Sequence, residues 1–462
     1  MKTKIYFLMC GLIFNAFSAQ SFDTTFGTNG KLTQPNLGDF YSATEVAGGK
    51  VIAAGYNSEG NAVILKFLEN GSMDATFGIN GKVVINQYTG SGSYEEAAIP
   101  VELSNGKILV GYGYELDNGV DPYYFGTKII RMNTDGTIDA TFSNPMYTEP
   151  NMLYNFVVLP SGKILAVGDN FLRRFNADGS LDTTYGTGGT RAIAFDFESK
   201  ILQTGSMIFL WDYTNNRIVK LANEESTSPV FYTPSGILIE DFEIKNNNIY
   251  IIGSNSKIIK LDINLNPVTS YGVNGTADLS TANITTFWDF EIQPGGSILF
   301  FNMESDGTTF TRKISRVNPM GALDTTFGSA GYFSYPFTDA GYGEYDGQIL
   351  LNNFNGKLYI ADLQEDPGDN VILTRLNLAA EASLGITESN PVESNFAMEN
   401  PVKDFIKTSN SLNNIVIYSV SGAMVKLLRN TNESVSDLKP GVYILTGTDK
   451  AGKKVSQKFI KK

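Results

Sequence analysis

Arg174-Phe175-Asn176-Ala177-Asp178-Gly179-Ser180-Leu181-Asp182-Thr183-Thr184-Tyr185-Gly186 decides the fold, because most of it is written again and again along the chain. Its second half recurs as Phe22-Asp23-Thr24-Thr25-Phe26-Gly27, Met73-Asp74-Ala75-Thr76-Phe77-Gly78, Ile138-Asp139-Ala140-Thr141-Phe142 and Leu323-Asp324-Thr325-Thr326-Phe327-Gly328. Two worn copies, Thr227-Ser228-Pro229-Val230-Phe231 and Pro267-Val268-Thr269-Ser270-Tyr271-Gly272, bring the number to seven. Self-similarity at a fixed period is the mark of a repeat architecture.

A second motif, a small turn opening an apolar strand, also occurs seven times. It begins at Gly49-Lys50, Gly106-Lys107, Gly162-Lys163, Gly205-Ser206, Asn247-Asn248, Gly296-Ser297 and Gly356-Lys357. From Lys50 to Lys357 the mean step is 307/6, about 51 residues. A basic residue closes the next strand, at Lys66, Arg131, Arg174, Lys220, Lys260, Arg316 and Arg375. From each of the first six the Asp-motif position lies eight residues on, at Asp74, Asp139, Asp182, Ser228, Val268 and Asp324, although every other spacing varies. An interval that resists insertion reads as a rigid hairpin, turning at Asn133–Gly136 and Asn176–Gly179.

Each unit has room for four short strands, and units of this length with four strands fit a β-propeller, one blade per unit. The first Asp motif, at Asp23, has no strands before it, and the last basic strand, at Arg375, has no good Asp motif after it. The expectation is a ring in which residues 22–34 complete the blade begun by 345–378, removing two sheet edges. The expected fold class is all-β: a seven-bladed β-propeller of four-stranded blades closed by the N-terminal segment, followed by a small C-terminal β-sandwich.

Residues 22–378 resemble the delta-60 repeat, whose signature Arg174–Gly186 follows almost letter for letter, with departures at Ser228 and Val268. The resemblance implies a secreted repeat protein and supplies no catalytic residues.

The ends differ from the middle. Residues 1–19 read as a secretory signal peptide: Lys2 and Lys4, then apolar Ile5–Phe14, then small Ala16, Ser18 and Ala19, with cleavage after Ser18 or Ala19. The propeller is expected over 20–380, a linker over 381–395 and a C-terminal domain over 396–462. Residues 403–462 hold 11 Lys/Arg against 4 Asp/Glu, or +7, and residues 20–402 hold 22 against 44, or −22. Short strands are expected at Asn414–Ser419, Met424–Leu428, Val442–Thr446 and Val455–Ile460.

Four motifs follow in order: Asn400-Pro401-Val402-Lys403-Asp404, Ile417–Gly422, Leu438-Lys439-Pro440-Gly441-Val442-Tyr443 and Lys458–Lys462. Together they resemble the C-terminal sorting domain of the type IX secretion system, with Met398-Glu399 where that family usually has Tyr-Pro. The resemblance implies a Bacteroidota-type bacterium, Sec export and outer-membrane passage. It also implies type IX machinery as a partner, tail removal, and a secreted or outer-surface address.

Composition excludes several functions. The chain has no His, and its one Cys, Cys10, lies in the leader, so Ser/His/Asp and Cys/His catalysis and thiolate metal sites are absent from the mature chain. A net charge of −13 argues against nucleic acid as a partner. No run after the leader reaches the ~18 apolar residues of a membrane span. No cofactor is expected.

The repeated Asp reads as part of the frame, pairing with the basic residue eight back or satisfying turn N–H groups, and not as a metal ligand. Function in repeat folds sits in insertions, and the second-to-third-strand connection varies most. It carries Asp117, Asp121, Tyr123 and Tyr124 in the second unit, and Trp211, Asp212 and Tyr213 in the fourth. It carries Glu304 and Asp306 in the sixth, and Glu365, Asp366 and Asp369 in the seventh. Acids beside exposed rings suit sugars, since rings stack on pyranose faces and carboxylates accept from hydroxyls. They equally suit a cation, a basic protein patch, or loops with no ligand. Two functions follow: a non-enzymatic binding module for a glycan or a surface protein, or a secreted glycan-cleaving enzyme using two of these carboxylates.

Overall fold

The computed structural model describes residues 20–378 and 402–462, apart from 35–36, 88–92, 117–123, 149, 194–196, 281–288, 306–309, 338–347, 353–355, 365–369, 408–412, 420–423, 429–431, 437, 440 and 449–453. The expected linker lies outside these residues. The chain divides into two compact units, Met1–Ala382 and Ser383–Lys462. Every element in the described residues is a β-strand.

Six sheets of the first unit are built from four strands taken in chain order, each antiparallel to the next. The third sheet shows the plan: Asn155–Val158, Ile164–Gly168, Phe171–Phe175 and Thr190–Ala192. The seventh is different. It joins Gln348–Asn352, Lys357–Gln364 and Asn370–Asn377 to two strands from the other end of the chain, Ser21–Phe22 and Lys31–Gln34. Both pair with Asn370–Asn377, in the registers Phe22↔Leu376 and Lys31↔Thr374.

The Asp motif is a turn, and its chemistry explains its spacing. Asp182 Oδ1 accepts from the Thr184 N–H (3.2 Å) and hydroxyl (2.6 Å), and the Tyr185 N–H returns to the Asp182 carbonyl. The Asp182 N–H donates to the Arg174 carbonyl, while the Arg174 N–H donates to Gly189. Those two bonds are a rung between the third strand and the turn, so an insertion within the eight-residue interval would break it. The first of these bonds, from the N–H at the Asp position to the basic residue's carbonyl, also joins Asp74 to Lys66, Asp139 to Arg131, Val268 to Lys260, Asp324 to Arg316 and, across the two ends of the chain, Asp23 to Arg375.

The fourth copy departs from this plan. Val230–Tyr232 is itself the fourth strand of the fourth sheet, with Val230 paired to Lys220, so Phe231 is an exposed strand residue and not a buried turn aromatic. Without the Asp and the Thr that donates to it, the chain skips the turn. The fifth copy keeps the backbone turn with Val268 in the Asp position.

Adjacent sheets are joined by the same parts. Phe26, Phe77, Tyr185, Tyr271 and Phe327 are all at most 1% exposed. The residue after the aromatic reaches the next sheet's hairpin: Gly78 N–H to Asp135 O (2.7 Å), Ser143 to Asp178 and Gly272 to Met320. The hairpin glycines Gly71, Gly136, Gly179 and Gly321 all have φ near +84°, and a Cβ on Gly71 would stand 2.4 Å from the Phe26 ring. The Gly thus allows both the left-handed turn and the ring's approach.

The apolar core is a succession of seams between sheets. Ile52, Ile64, Phe77, Ile108 and Val110 fill the seam between sheets one and two, and Leu109, Phe156 and Phe175 that between two and three. Clusters about Leu210, Ile251 and Phe300 continue the series to the sixth sheet. Leu299, Phe327 and Leu358 join the sixth to the seventh. Phe26, Ala53, Val63 and Tyr359 join the seventh to the first. The first strands of successive sheets also lie against one another, as Phe197–Thr204 on Ile239–Lys245 and Gln348–Asn352 on Leu37–Val46.

The second unit has a four-stranded sheet in the order Met424–Leu428, Asn413–Ser419, Gly441–Thr448, Lys454–Lys461, and a pair formed by Phe405–Lys407 and Asn432–Ser434. Ile406, Ile417, Val435, Leu445 and Phe459 make one core between them. The expected strands agree with these to within two residues.

Candidate binding face

The repeated Asp belongs to the frame. Asp182 is 3% exposed, and its Oδ2 takes Arg174 Nε at 2.7 Å and Lys163 Nζ at 2.6 Å. Asp139 does the same with Arg131 and Lys107, and Asp23 with Arg375 and Lys357. Asp324 meets Arg316 through both Nε and Nη2 at 2.8 Å. The guanidinium of each Arg also lies over the turn aromatic, Arg174 on Tyr185 at 4.6 Å and Arg375 on Phe26 at 4.6 Å. The Lys163 ammonium and the Thr184 donors hold Asp182 well below the usual carboxylate range. Burial opposes the shift at Asp74, yet hydrogen bonds from Lys50 and Thr76 bring it to about 2. Such carboxylates are fully engaged acceptors and cannot shuttle protons near neutrality.

The lysine of the Gly-Lys turn was missed as the second partner of this carboxylate. A signal for it exists within the chain. Lys stands at that place in units one, two, three and seven, each of which meets an Asp, and is replaced in units four and five, where the Asp is Ser228 or Val268. Unit six keeps Asp324 with Ser297, and there Arg316 supplies two nitrogens.

Of the twelve residues named on these connections, Asp117, Asp121, Tyr123, Asp306, Glu365, Asp366 and Asp369 lie outside the described residues, as does the side chain of Glu304. Tyr124 begins the strand Tyr124–Met132, and its side chain also lies outside the description. Trp211, Asp212 and Tyr213 stand together where Met207–Asp212 turns into Arg217–Leu221. Tyr213 is 53% exposed and meets Trp211 edge-on, ring centroids 5.6 Å apart. Trp211 is half-buried against the seam between sheets four and five, its indole N–H buried without a partner.

Asp212 does not fit the expectation of an acid offered to a ligand. It is 0% exposed, with Arg217 Nε at 2.6 Å on Oδ2 and the Asn215 side chain at 3.0 Å on both oxygens. Burial is tolerated because Arg217 pairs the charge, and the carboxylate serves to lock the turn. Arg217 then stacks on Phe231 at 4.0 Å, and Asn216 bridges to the Ile237 carbonyl and the Ile239 N–H. The result is a rigid hairpin that presents a tyrosine ring.

A cavity of about 70 Å³ opens between sheets two and three, lined by Glu96, Tyr112, Gly113, Lys128, Tyr154 and Phe156 among others. That volume holds about two waters, not a sugar ring. Lys128 lies 5.2 Å over the Tyr112 ring and donates to Gln87, and burial lowers its pKa against the opposing pull of Glu95. Among the described residues no group of three acids is placed to hold a metal ion, and no helix is long and apolar enough to cross a membrane.

Residues 390–462 match the secretion system C-terminal sorting domain. Residues 49–77, 103–142 and 159–185 match a domain of unknown function, the DUF5122 beta-propeller. The chain is a β-propeller protein with a type IX sorting tail. The DUF5122 matches end at Phe77, Phe142 and Tyr185, the aromatic of the Asp motif in each of the first three sheets. The tail marks this propeller for export, to the outer surface or the medium.

Among solved structures, selenomethionine-substituted virginiamycin B lyase from Staphylococcus aureus is similar with a TM-score of 0.44 at 15% identity. That likeness covers 75% of this chain and 99% of the lyase. A catalytically inactive form of the lyase with quinupristin gives 0.41 at 14%, over 75% and 99% of the two chains. BamB from Moraxella catarrhalis gives 0.34 at 11%, over 73% and 100%. No curated protein matches the chain.

Proposed function

We propose that the exported propeller is a non-enzymatic binding module, taking a glycan or a surface protein on the face built from the second-to-third-strand connections. The observation that carries this reading is the hairpin at Trp211–Arg217. It holds an exposed Tyr213 ring rigidly while the neighbouring carboxylate, Asp212, is buried and spent on Arg217. A ring without an available acid suits stacking on a pyranose face or on an apolar protein surface, and does not suit acid–base cleavage. The frame for this face is a ring of seven blades, closed by the N-terminal strands. Its support is the pairing of both N-terminal strands with Asn370–Asn377 and the core cluster joining the seventh sheet to the first. In this reading residues 1–19 are a cleaved leader, 20–380 the propeller, 381–395 a linker, and 396–462 a small sandwich read by the type IX machinery.

The test is a glycan-array screen of the exported protein, with each hit analysed by mass after incubation. Binding with the glycan intact, lost in Tyr213→Ala, is the expected result. Cleavage would replace the binding reading with the hydrolytic one and direct attention to Asp117, Asp121 and Asp366. Binding unchanged in Tyr213→Ala would remove this hairpin from the site.

A further inference from the structure

We propose that Lys260, at the seam between sheets five and six, is a nucleophilic amine that captures a small uncharged aldehyde as an imine. A basic residue holds this place in every sheet. Arg131, Arg174, Arg316 and Arg375 each bond the aspartate of their turn. Lys66 keeps Asp74, whose charge acts against burial. Lys220 has Ser228 eight residues on and donates instead to Asn264, at 2.9 Å. Lys260 has Val268. Its side chain is half-buried, and among the described residues its ammonium makes neither a hydrogen bond nor an ion pair. What it meets is two rings, Tyr250 at 5.0 Å and Tyr271 at 5.5 Å.

The surroundings favour the neutral amine. Tyr250, Ile258, Tyr271 and Ala277 belong to one apolar cluster, and Val268 packs against it. Burial pushes the Lys260 ammonium down, and no carboxylate pulls it back. Asp262 is taken by Asn264 and Asn266, and Asp278 by Lys257 and Ser280. The next sheet's hairpin, Asn318-Pro319-Met320-Gly321, brings no charge. A lysine desolvated in this way is the form that attacks carbonyl carbon. The Tyr271 hydroxyl is buried without a partner, and burial keeps it protonated, so an incoming carbonyl oxygen would give it an acceptor. Neutral Nζ attacks the carbonyl carbon, the C–N bond forms, and a proton passes from nitrogen to oxygen. The C–O bond of that carbinolamine then breaks, and the oxygen leaves as water with the second amine proton. Amine and aldehyde thus give imine and water, with no oxidant or reductant. Once protonated, the imine keeps its place over the two rings.

The test is reductive trapping on the full chain, with limiting acetaldehyde and cyanoborohydride at neutral pH, read lysine by lysine by peptide mass spectrometry. Lys260 should gain its ethyl group about tenfold faster than Lys220, the gain in neutral amine that one pKa unit supplies. In Val268→Asp, which with Ser270 rebuilds the acid and hydroxyl of the other turns, that advantage should disappear. Trapping at Lys260 no faster than at Lys220 would overturn the proposal. An advantage undiminished in Val268→Asp, at an unchanged urea midpoint, would overturn the assignment of the reactivity to the missing acid.

Discussion

At the scale of single residues, this protein spends its charge on structure. In five turns a buried aspartate meets lysine, arginine or both, and the threonine two places on. Removing one partner strands the other. Asp324→Ala removes the carboxylate that takes Nε and Nη2 of Arg316, 1% exposed, and should cost about 3–5 kcal/mol in urea unfolding of the full chain. The same aspartates set the acid limit. Their folded pKa values lie below the ordinary 3.8, Asp74 at about 2, so the folded state binds fewer protons than the unfolded one. Their contribution is therefore complete above the ordinary carboxylate range and is lost as pH falls through the folded values. Burial pushes Glu240 and Asp241 the other way, which partly offsets the loss. With no His to titrate, the urea midpoint should stay nearly flat from pH 7 to about 5 and drop below about 4, less steeply in Asp74→Asn.

At the scale of the element, the hairpin glycine separates two effects. Gly205 and Gly71 both have positive φ, but a Cβ on Gly205 meets nothing within 4 Å, while one on Gly71 runs into Phe26. Gly205→Ala should cost about 1–2 kcal/mol for backbone strain alone. Gly71→Ala should cost about 2–5 kcal/mol, because the ring must also move. Thermal unfolding of the two variants side by side checks the difference. The strands, the hairpin and the Arg–Asp pairing were legible in the sequence because a fixed interval between opposite charges admits few geometries. The fourth copy was misread, since Val230-Phe231 has the letters of a turn aromatic but the pairing of an outer strand. The lysine partner was overlooked because it comes from the turn before, 24 residues away in the case of Lys50 and Asp74. At the candidate face, the rings could be read but the fate of Asp212 could not. Whether a carboxylate faces a ligand or an arginine five residues on depends on a turn that no motif announces.

At the scale of the whole molecule, the seventh sheet draws on both ends of the propeller. Its pairing of Ser21–Phe22 with Leu376 and Asn377 is the widest-separated in the ladder, and Arg375 reaches back to Asp23 and Thr25. Deleting residues 20–34 would expose the edge of Asn370–Asn377 and leave Arg375 without its acid, so the expected outcome is aggregation on purification. A circular permutant that joins 378 to 22 through a short hairpin and opens within 88–92 should fold and unfold in a single transition. Failure of the permutant, with the wild type stable, would count against the closed ring.

That shared sheet also imposes an order of events. The strands at the front of the chain emerge first and have no partner until Asn370–Asn377 has been made, and the sorting tail follows only after that. A product cut short before this strand keeps an unpaired front and lacks the export mark, so the molecule carries its own proof of having been read to the end.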